Sequence, residues 1–411
     1  MDIGIEAINA YGGQTYLDIR TLFEARGLDL ERFDNLMMDK KAVGLPCEDP
    51  VTNGVNAAKP LIDQLSQEDK DSIEILITAT ESGLDFGKSL STYIHDYLDI
   101  SRHCRLFEVK QACYAGTAAL QMAAGFIAAH PFPNTKALII ATDTARGAAK
   151  MTYAEPSQGV GAVAMLISRK PDILALDFGA NGLYSYEVMD TCRPQAEIET
   201  GDVDLSLLSY LDCLEGAYQA YTDRVDDVDF QSTFDYLAFH TPFAGMVKGA
   251  HRKMMRAGGR RLPPKDIEAD FQQRMSPSLA YCVQVGNVYS ATLYLALCGL
   301  VDQAPLDQPC RVGLFSYGSG CSSEFYSGVI TPESQAKLQQ MQIAQKLTHR
   351  YQLSMAEYDP LLDLNMEWLF GTQNKIVDNE PYAAIYEQQL QGQGLLVLKA
   401  IENFHRVYTW S

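Results

Sequence analysis

The feature that most constrains the fold is a repeated pattern of strand, polar turn and small-residue helix. In the first half, the β-branched run Ile73–Ala79 ends in TATESG (78–83), and a helix of small residues opens in ACYAGTAAL (112–120). In the second half, Phe234–Phe239 ends in AFHTPF (238–243), and a similar helix opens in GNVYSATLYLAL (286–297). Each half then carries a strand with a glycine-rich flank, QGVGAVAML (158–166) and LFSYGSGCS (314–322). Strand-like runs alternating with helical stretches define an α/β architecture, and the echo reads either as two similar halves facing each other or as chance similarity between two α/β segments.

Further strands are expected at Ala137–Ala141, Gly161–Ser168 and Val312–Tyr317, and helices over 55–66, 114–130, 244–257, 288–300 and 333–348. Residues 190–232 find no counterpart in the repeat and read as a helical insertion. Residues 330–411 read as a helix, a polar stretch and a closing strand around 394–401. The expected division is therefore 1–189, 190–232 and 233–411, the last carrying a C-terminal extension.

Net charge limits the partners. With 33 basic and 52 acidic side chains, the chain carries −19 and repels a phosphate backbone, which argues against nucleic acid. The N-terminus shows no basic region leading into an apolar one, and the apolar stretch 113–129 is short and alanine-rich, so neither secretion nor a membrane span is expected. Nine cysteines without a CxxC pair, and seven scattered histidines, fit reduced thiols in a cytoplasm rather than a metal site.

Three residues could carry chemistry. Cys113 stands where LFEVKQA (106–112) runs into the alanine-rich helix, so the helix dipole would favour its thiolate, and Ala112, Ala115 and Gly116 leave room for a substrate. The plainer reading is a small buried apolar residue. His240 follows a strand and precedes Thr241–Pro242, a place from which a histidine of near-neutral pKa reaches a crevice between halves, or merely satisfies a turn. Glu81, after an apolar strand and beside Ser82–Gly83, is either a turn cap or a general base. If the halves are pseudosymmetric, all three converge on one crevice. GSG (318–320) would then offer backbone N–H groups to a thioester oxygen, and Asn287 a side-chain hydrogen bond.

EVKQACYAGTAALQMA, TATESGLD, FDYLAFHTPF, GNVYSAT and LFSYGSGCSSEFYS, in this chain order, resemble the 3-hydroxy-3-methylglutaryl-coenzyme A synthases of the thiolase superfamily over nearly the whole chain. The opening segment, residues 4–60, is most similar to the branch that installs β-branches on bacterial polyketides, of the curacin and jamaicamide type. The resemblance implies a thiolase-like five-layer αβαβα sandwich and a homodimer. It implies that Cys113 takes an acetyl group from a donor thioester. Glu81 would remove a methyl proton, and the enolate would attack the β-ketone of an acceptor positioned by His240. Water would then release Cys113, leaving a carboxylate. Asn287, Gly318 and Ser319 match positions near the acceptor, and Asp143 and Asp190 match acidic positions behind them.

Departures from the primary-metabolism members point to the branch. Gly245 stands where those commonly have a coenzyme A-binding lysine, although Lys248 is near; Thr191–Cys192 replaces an aromatic pair, and Gly147 a tyrosine. The resemblance thus implies donor and acceptor acyl carrier proteins delivering phosphopantetheine, with no bound cofactor. Carrier proteins are usually acidic, and residues 246–265 contain seven Lys/Arg and no acid. Lys248, Arg252 and Arg256 would share one helix face, followed by Arg260 and Arg261, as a docking site or simply a solvated face. The alternatives are a primary-metabolism synthase using acetyl- and acetoacetyl-coenzyme A, and a catalytically silent scaffold that binds acyl carriers.

Overall fold

The structure is a computed structural model and describes residues 2–145, 149–152, 154–195, 198–368 and 370–411. The first half supplies strands β1 (Gly4–Tyr11), β2 (Ile73–Ala79), β3 (Arg105–Val109), β4 (Lys136–Thr144) and β5 (Val160–Ser168). The second half supplies β6 (Leu174–Ser185), β7 (Tyr236–Phe239), β8 (Cys310–Gly318) and β9 (Ser322–Ile330). They run in the order β7-β8-β9-β6-β1-β5-β4-β2-β3, and within this sheet the halves meet at Gly4–Ala175 and Ile5–Leu174.

The duplication is visible in the pairing. In the first half β1 and β5 are antiparallel, β5 and β4 antiparallel, and β4 and β2 parallel. In the second half β6 and β9 are antiparallel, β9 and β8 antiparallel, and β8 and β7 parallel. Strand β1 thus corresponds to β6, β2 to β7, β4 to β8 and β5 to β9. The glycine-rich strand 160–168 pairs in this scheme with 322–330 rather than with 310–318, which corrects the match expected from the sequence. Both glycine-rich flanks lie in the connection between the same two strands.

Helices follow the same scheme. Helix α1 (Pro50–Ile62) links β1 to β2, and α3 (Val203–Thr222) links β6 to β7. The α1 helix packs on β1, β5 and β4, and α3 on their counterparts β6, β9 and β8. The segment 190–232 is therefore no insertion without a counterpart: its helix belongs to the repeat, and the second half begins at β6. Ahead of that helix, 191–195 and 198–201 form an antiparallel pair of strands outside the repeat. Gly182 on β6 permits this packing, because a Cβ there would lie 2.1 Å from the Ala217 carbonyl oxygen of α3.

Helices α2 (Ala115–Ala129) and α4 (Thr292–Gln303) form the central layer of the sandwich. They meet where a Cβ on Gly116 would lie 2.3 Å from the Ser290 carbonyl oxygen, and the hydroxyls of Thr117 and Tyr294 are 2.9 Å apart. By length and hydropathy the segment Ala112–Ala129, which contains α2, would pass for a membrane span, but Ala115, Ala119, Leu120, Ala123, Ala124 and Ile127 lie in the main hydrophobic core. The expected helix 333–348 divides at Gln342, whose φ is +54°, into Pro332–Gln339 and Ile343–Thr348. The closing strand runs Leu396–Glu402 and pairs with His405–Trp410 in a separate small sheet tied to α1, where Arg406 meets the N-cap Asp49 at 3.0 Å.

Candidate active site

Glu81 and His240 leave corresponding strands, β2 and β7, and line one cleft of about 1540 Å³ together with Cys113. Asp143, fully buried on β4, fixes the turn that carries Glu81. One of its oxygens accepts from Thr80 Oγ1 (2.9 Å), the Glu81 N–H (2.9 Å) and Ser82 Oγ (2.8 Å). The other accepts from the N–H (3.0 Å) and hydroxyl of Ser290, ahead of α4. One carboxyl thus ties the proposed base to the opposite half. Burial raises its pKa and these hydrogen bonds oppose the rise.

Cys113 stands two residues before α2, after Ala112, whose φ of +43° is strained for a residue with a Cβ. The expectation of a stabilised thiolate does not hold. Burial, followed by the charges of Glu81, Asp143 and Glu199, pushes the thiol well above its ordinary pKa, with Arg193 opposing. Desolvation and three carboxylates outweigh the helix end, so the resting residue is a neutral thiol. His240 departs from its expected near-neutral pKa for a related reason. It is 1% exposed, its Nδ1 has no hydrogen-bond partner, and burial lowers its pKa to about 3. Its backbone is held by N–H donation to the Phe315 oxygen (2.8 Å) and by the Tyr210 hydroxyl on its carbonyl (2.8 Å). A neutral imidazole is presented to the cleft.

Asn287 and Ser319 also line the cleft. Asn287 Oδ1 is engaged by the Tyr289 N–H (2.9 Å) and Thr292 Oγ1 (2.8 Å). Gly318 lets its turn press against the loop that carries Cys113, since a Cβ there would be 2.5 Å from the Gln111 oxygen. The Ser319 carbonyl accepts from Gln111 Nε2 at 3.3 Å. Within GSG, the Gly320 N–H is not available to a thioester, because it donates to Asp190 Oδ1 (2.9 Å). Asp190 is fully buried behind the wall and also accepts from the Tyr317 hydroxyl (2.6 Å). Thr191 and Cys192 border the cleft, whereas Gly147 lies outside the described residues.

Sequence reasoning missed a group carried largely by the hairpin. Arg193 Nη2 is 2.8 Å from Glu199 and 3.5 Å from Glu81, and its guanidinium lies over the Tyr289 ring, 5.1 Å from the centroid. Gln158 Nε2 holds Glu199 at 2.6 Å. TCRPQ and IETG are polar, one with a proline, and show no strand alternation that would have flagged them. Among the described residues no cluster of His, Cys, Asp or Glu could hold a metal ion.

The basic helix spans Ala244–Ala257, and its first turns, at Phe243 and Met246, form part of the cleft wall. Lys248 does not stand free on the docking face, because Glu268 holds its Nζ at 2.8 Å. Arg252, Arg256, Arg260 and Arg261 are exposed.

Two facing α/β halves, a cysteine before an inner helix, and a carboxylate and a histidine at matched strand ends define a thiolase-like, acyl-transferring enzyme. Within that class the chain belongs to the hydroxymethylglutaryl-coenzyme A synthase family. Residues 1–172 match that family's N-terminal part and residues 264–410 its C-terminal part. The chain is 54% identical over 416 aligned residues, covering 99% of both sequences, to the polyketide biosynthesis 3-hydroxy-3-methylglutaryl-ACP synthase PksG of Bacillus subtilis. It is 35% identical to the hydroxymethylglutaryl-CoA synthase of Enterococcus faecalis, covering 88% of this chain and 91% of the other. Among solved structures, the curacin biosynthetic pathway HMG synthase in complex with apo donor-ACP superposes with a TM-score of 0.97, at 56% identity and full coverage of both chains.

Proposed function

We propose that this chain is a β-branching synthase that condenses the acetyl group of an acetyl carrier protein with the β-ketone of a β-ketoacyl carrier protein. Cys113 attacks the donor thioester, and the thiol proton ends on the departing phosphopantetheine sulfur. Glu81 takes a proton from the acetyl methyl, the resulting enolate forms the carbon–carbon bond to the acceptor ketone, and the proton held by Glu81 passes to the ketone oxygen, which becomes a hydroxyl. Water cleaves the Cys113 thioester, giving a 3-carboxymethyl-3-hydroxyacyl carrier protein and free thiol. Neutral His240 acts as a hydrogen-bonding partner for the acceptor, a role its dry setting suits.

Relatives named for polyketide biosynthesis support this reading, and Gly245 carries it. A Cβ at Gly245 would lie 1.8 Å from the Asn35 carbonyl oxygen, so the segment Leu30–Leu36 occupies the space a coenzyme A-binding lysine would need. We place donor docking on Arg252, Arg256, Arg260 and Arg261. At ~1.5 Å per residue, Arg252 lies ~9 Å along the helix from Met246 at the cleft wall. A second copy is expected along β3, an edge strand, beside α2, whose Met122 is 53% exposed. We place the enzyme in the cytoplasm.

Incubation with acetyl carrier protein and, separately, acetyl-coenzyme A, followed by intact-protein mass measurement, tests the reading. Acetylation of Cys113 from the carrier donor is expected. Efficient loading from coenzyme A alone favours the primary-metabolism alternative, and loading from neither favours a silent scaffold. Reversing the charge of Arg252, Arg256 and Arg260 should raise KM for the carrier donor; unchanged kinetics would remove the docking assignment.

A further inference from the structure

Tyr289 combines a left-handed backbone, deep burial and an unpartnered hydroxyl. Its φ is +48°, a conformation that a bulky residue avoids unless its surroundings impose it. Those surroundings are its neighbours: Asn287 Oδ1 takes the Tyr289 N–H, and Asp143 takes both the N–H and hydroxyl of Ser290. The side chain is 3% exposed, yet its hydroxyl has no hydrogen-bond partner. Among the described residues it is the one tyrosine in that condition, whereas buried Tyr11, Tyr210, Tyr221 and Tyr294 all have partners. Leaving a buried hydroxyl unpaired is costly, so its retention at the wall of the cleft calls for a partner supplied by the substrate.

The neighbours indicate which substrate atom. Arg193 lies over the Tyr289 ring and also faces Glu81. A cation on the ring face eases build-up of negative charge on the phenol oxygen and so strengthens the O–H as a donor. Burial, with Glu199 next, holds the phenol well above its ordinary pKa, so it keeps its proton. Within the GSG segment, the Gly320 N–H is committed to Asp190.

We infer that Tyr289 is a catalytic hydrogen-bond donor, its O–H directed at the oxygen of the acetyl group on Cys113 as that oxygen gains charge during enolisation. This rests on the roles proposed above for Cys113 and Glu81. The methyl C–H pair becomes the enolate double bond, the carbonyl π pair moves to oxygen, and the proton passes to Glu81. Tyr289 keeps its own proton throughout and loses its negatively charged partner once the new carbon–carbon bond restores the carbonyl.

Full-length wild type and Tyr289→Phe, matched for thermal transition, are loaded from acetyl carrier protein in deuterated water. Acetyl loading, deuterium entry into the acetyl methyl and condensation with acetoacetyl carrier protein are then followed by mass. Loading within about twofold of wild type is expected, with deuterium entry and condensation both falling about 100-fold, the loss typical of one oxyanion donor. Wild-type rates for exchange and condensation would overturn the inference. So would a loss of loading as large as the loss of exchange, which would place the hydroxyl in acyl transfer or in the fold. If wild type loads only from acetyl-coenzyme A, the carrier-protein reading fails, and the Tyr289 comparison proceeds with that donor.

Discussion

Glu81 and His240 occupy the same topological position in two copies of one structural repeat, and their surroundings could hardly differ more. Glu81 sits at the end of β2 with a guanidinium 3.5 Å from its carboxylate and its backbone N–H on Asp143. His240 sits at the end of β7 with an unpartnered Nδ1 and 1% exposure. One position is ionic and hydrogen-bonded, the other dry. Duplication explains why two strand ends point into one cleft. The division of labour comes from what packs around each: the segment with Arg193 on one side, and Tyr210, Phe239 and Phe315 on the other.

The contrast can be broken experimentally. Glu81→Gln should leave acetylation of Cys113 intact while condensation falls about 10³-fold, as for loss of a general base. Retained condensation would remove the asymmetry. His240→Ala should lower condensation about 100-fold, again sparing acetylation. Because burial holds His240 at about pKa 3, no limb of the rate profile between pH 5 and 8 should vanish in His240→Asn. A limb near 6.5 that vanishes would show that the imidazole becomes charged during turnover.

Arg193→Met should cost about tenfold in condensation, because it removes the cation that stands 3.5 Å from Glu81 and over the Tyr289 ring. Arg193→Lys should restore part of the loss. The smallest effect concerns stability. Between about pH 6.5 and pH 3 the unfolded chain protonates this histidine and the folded one does not, so His240 makes stability fall as pH falls through that window. Denaturant titrations should show a shallower acid loss in His240→Asn than in wild type.

The apolar strands and the alanine-rich helix were legible because their residues advertise burial. Ile73–Ala79 and Gly161–Ser168 are almost continuous runs of core residues; Glu81 follows the first of them, His240 follows the apolar strand Tyr236–Phe239, and Cys113 stands ahead of a helix start. Strand β6 was not foreseen: LALDFGANGLYS mixes glycine with polar residues, and Gly179 has a φ of +92°. Without that strand, α3 lost its place in the repeat and looked like an insertion. Arg193 and Tyr289 were invisible for a different reason. An arginine beside a proline, or a tyrosine in a helix-like run, carries no local mark of an ion pair or a left-handed backbone that only the assembled halves impose. The pKa of His240 likewise depends on packing from several segments.

Asp143 has a consequence for assembly. Its carboxyl grips the Glu81 turn from one half and Ser290 from the other, so the reactive geometry exists only once the halves have docked. Turnover is therefore a sensor of that docking. If the chain is cut within the connection between β5 and β6 and the fragments are mixed, neither piece alone should catalyse condensation. Recovered activity would measure the affinity of one half for the other, and Asp143→Asn should uncouple the sensor from association.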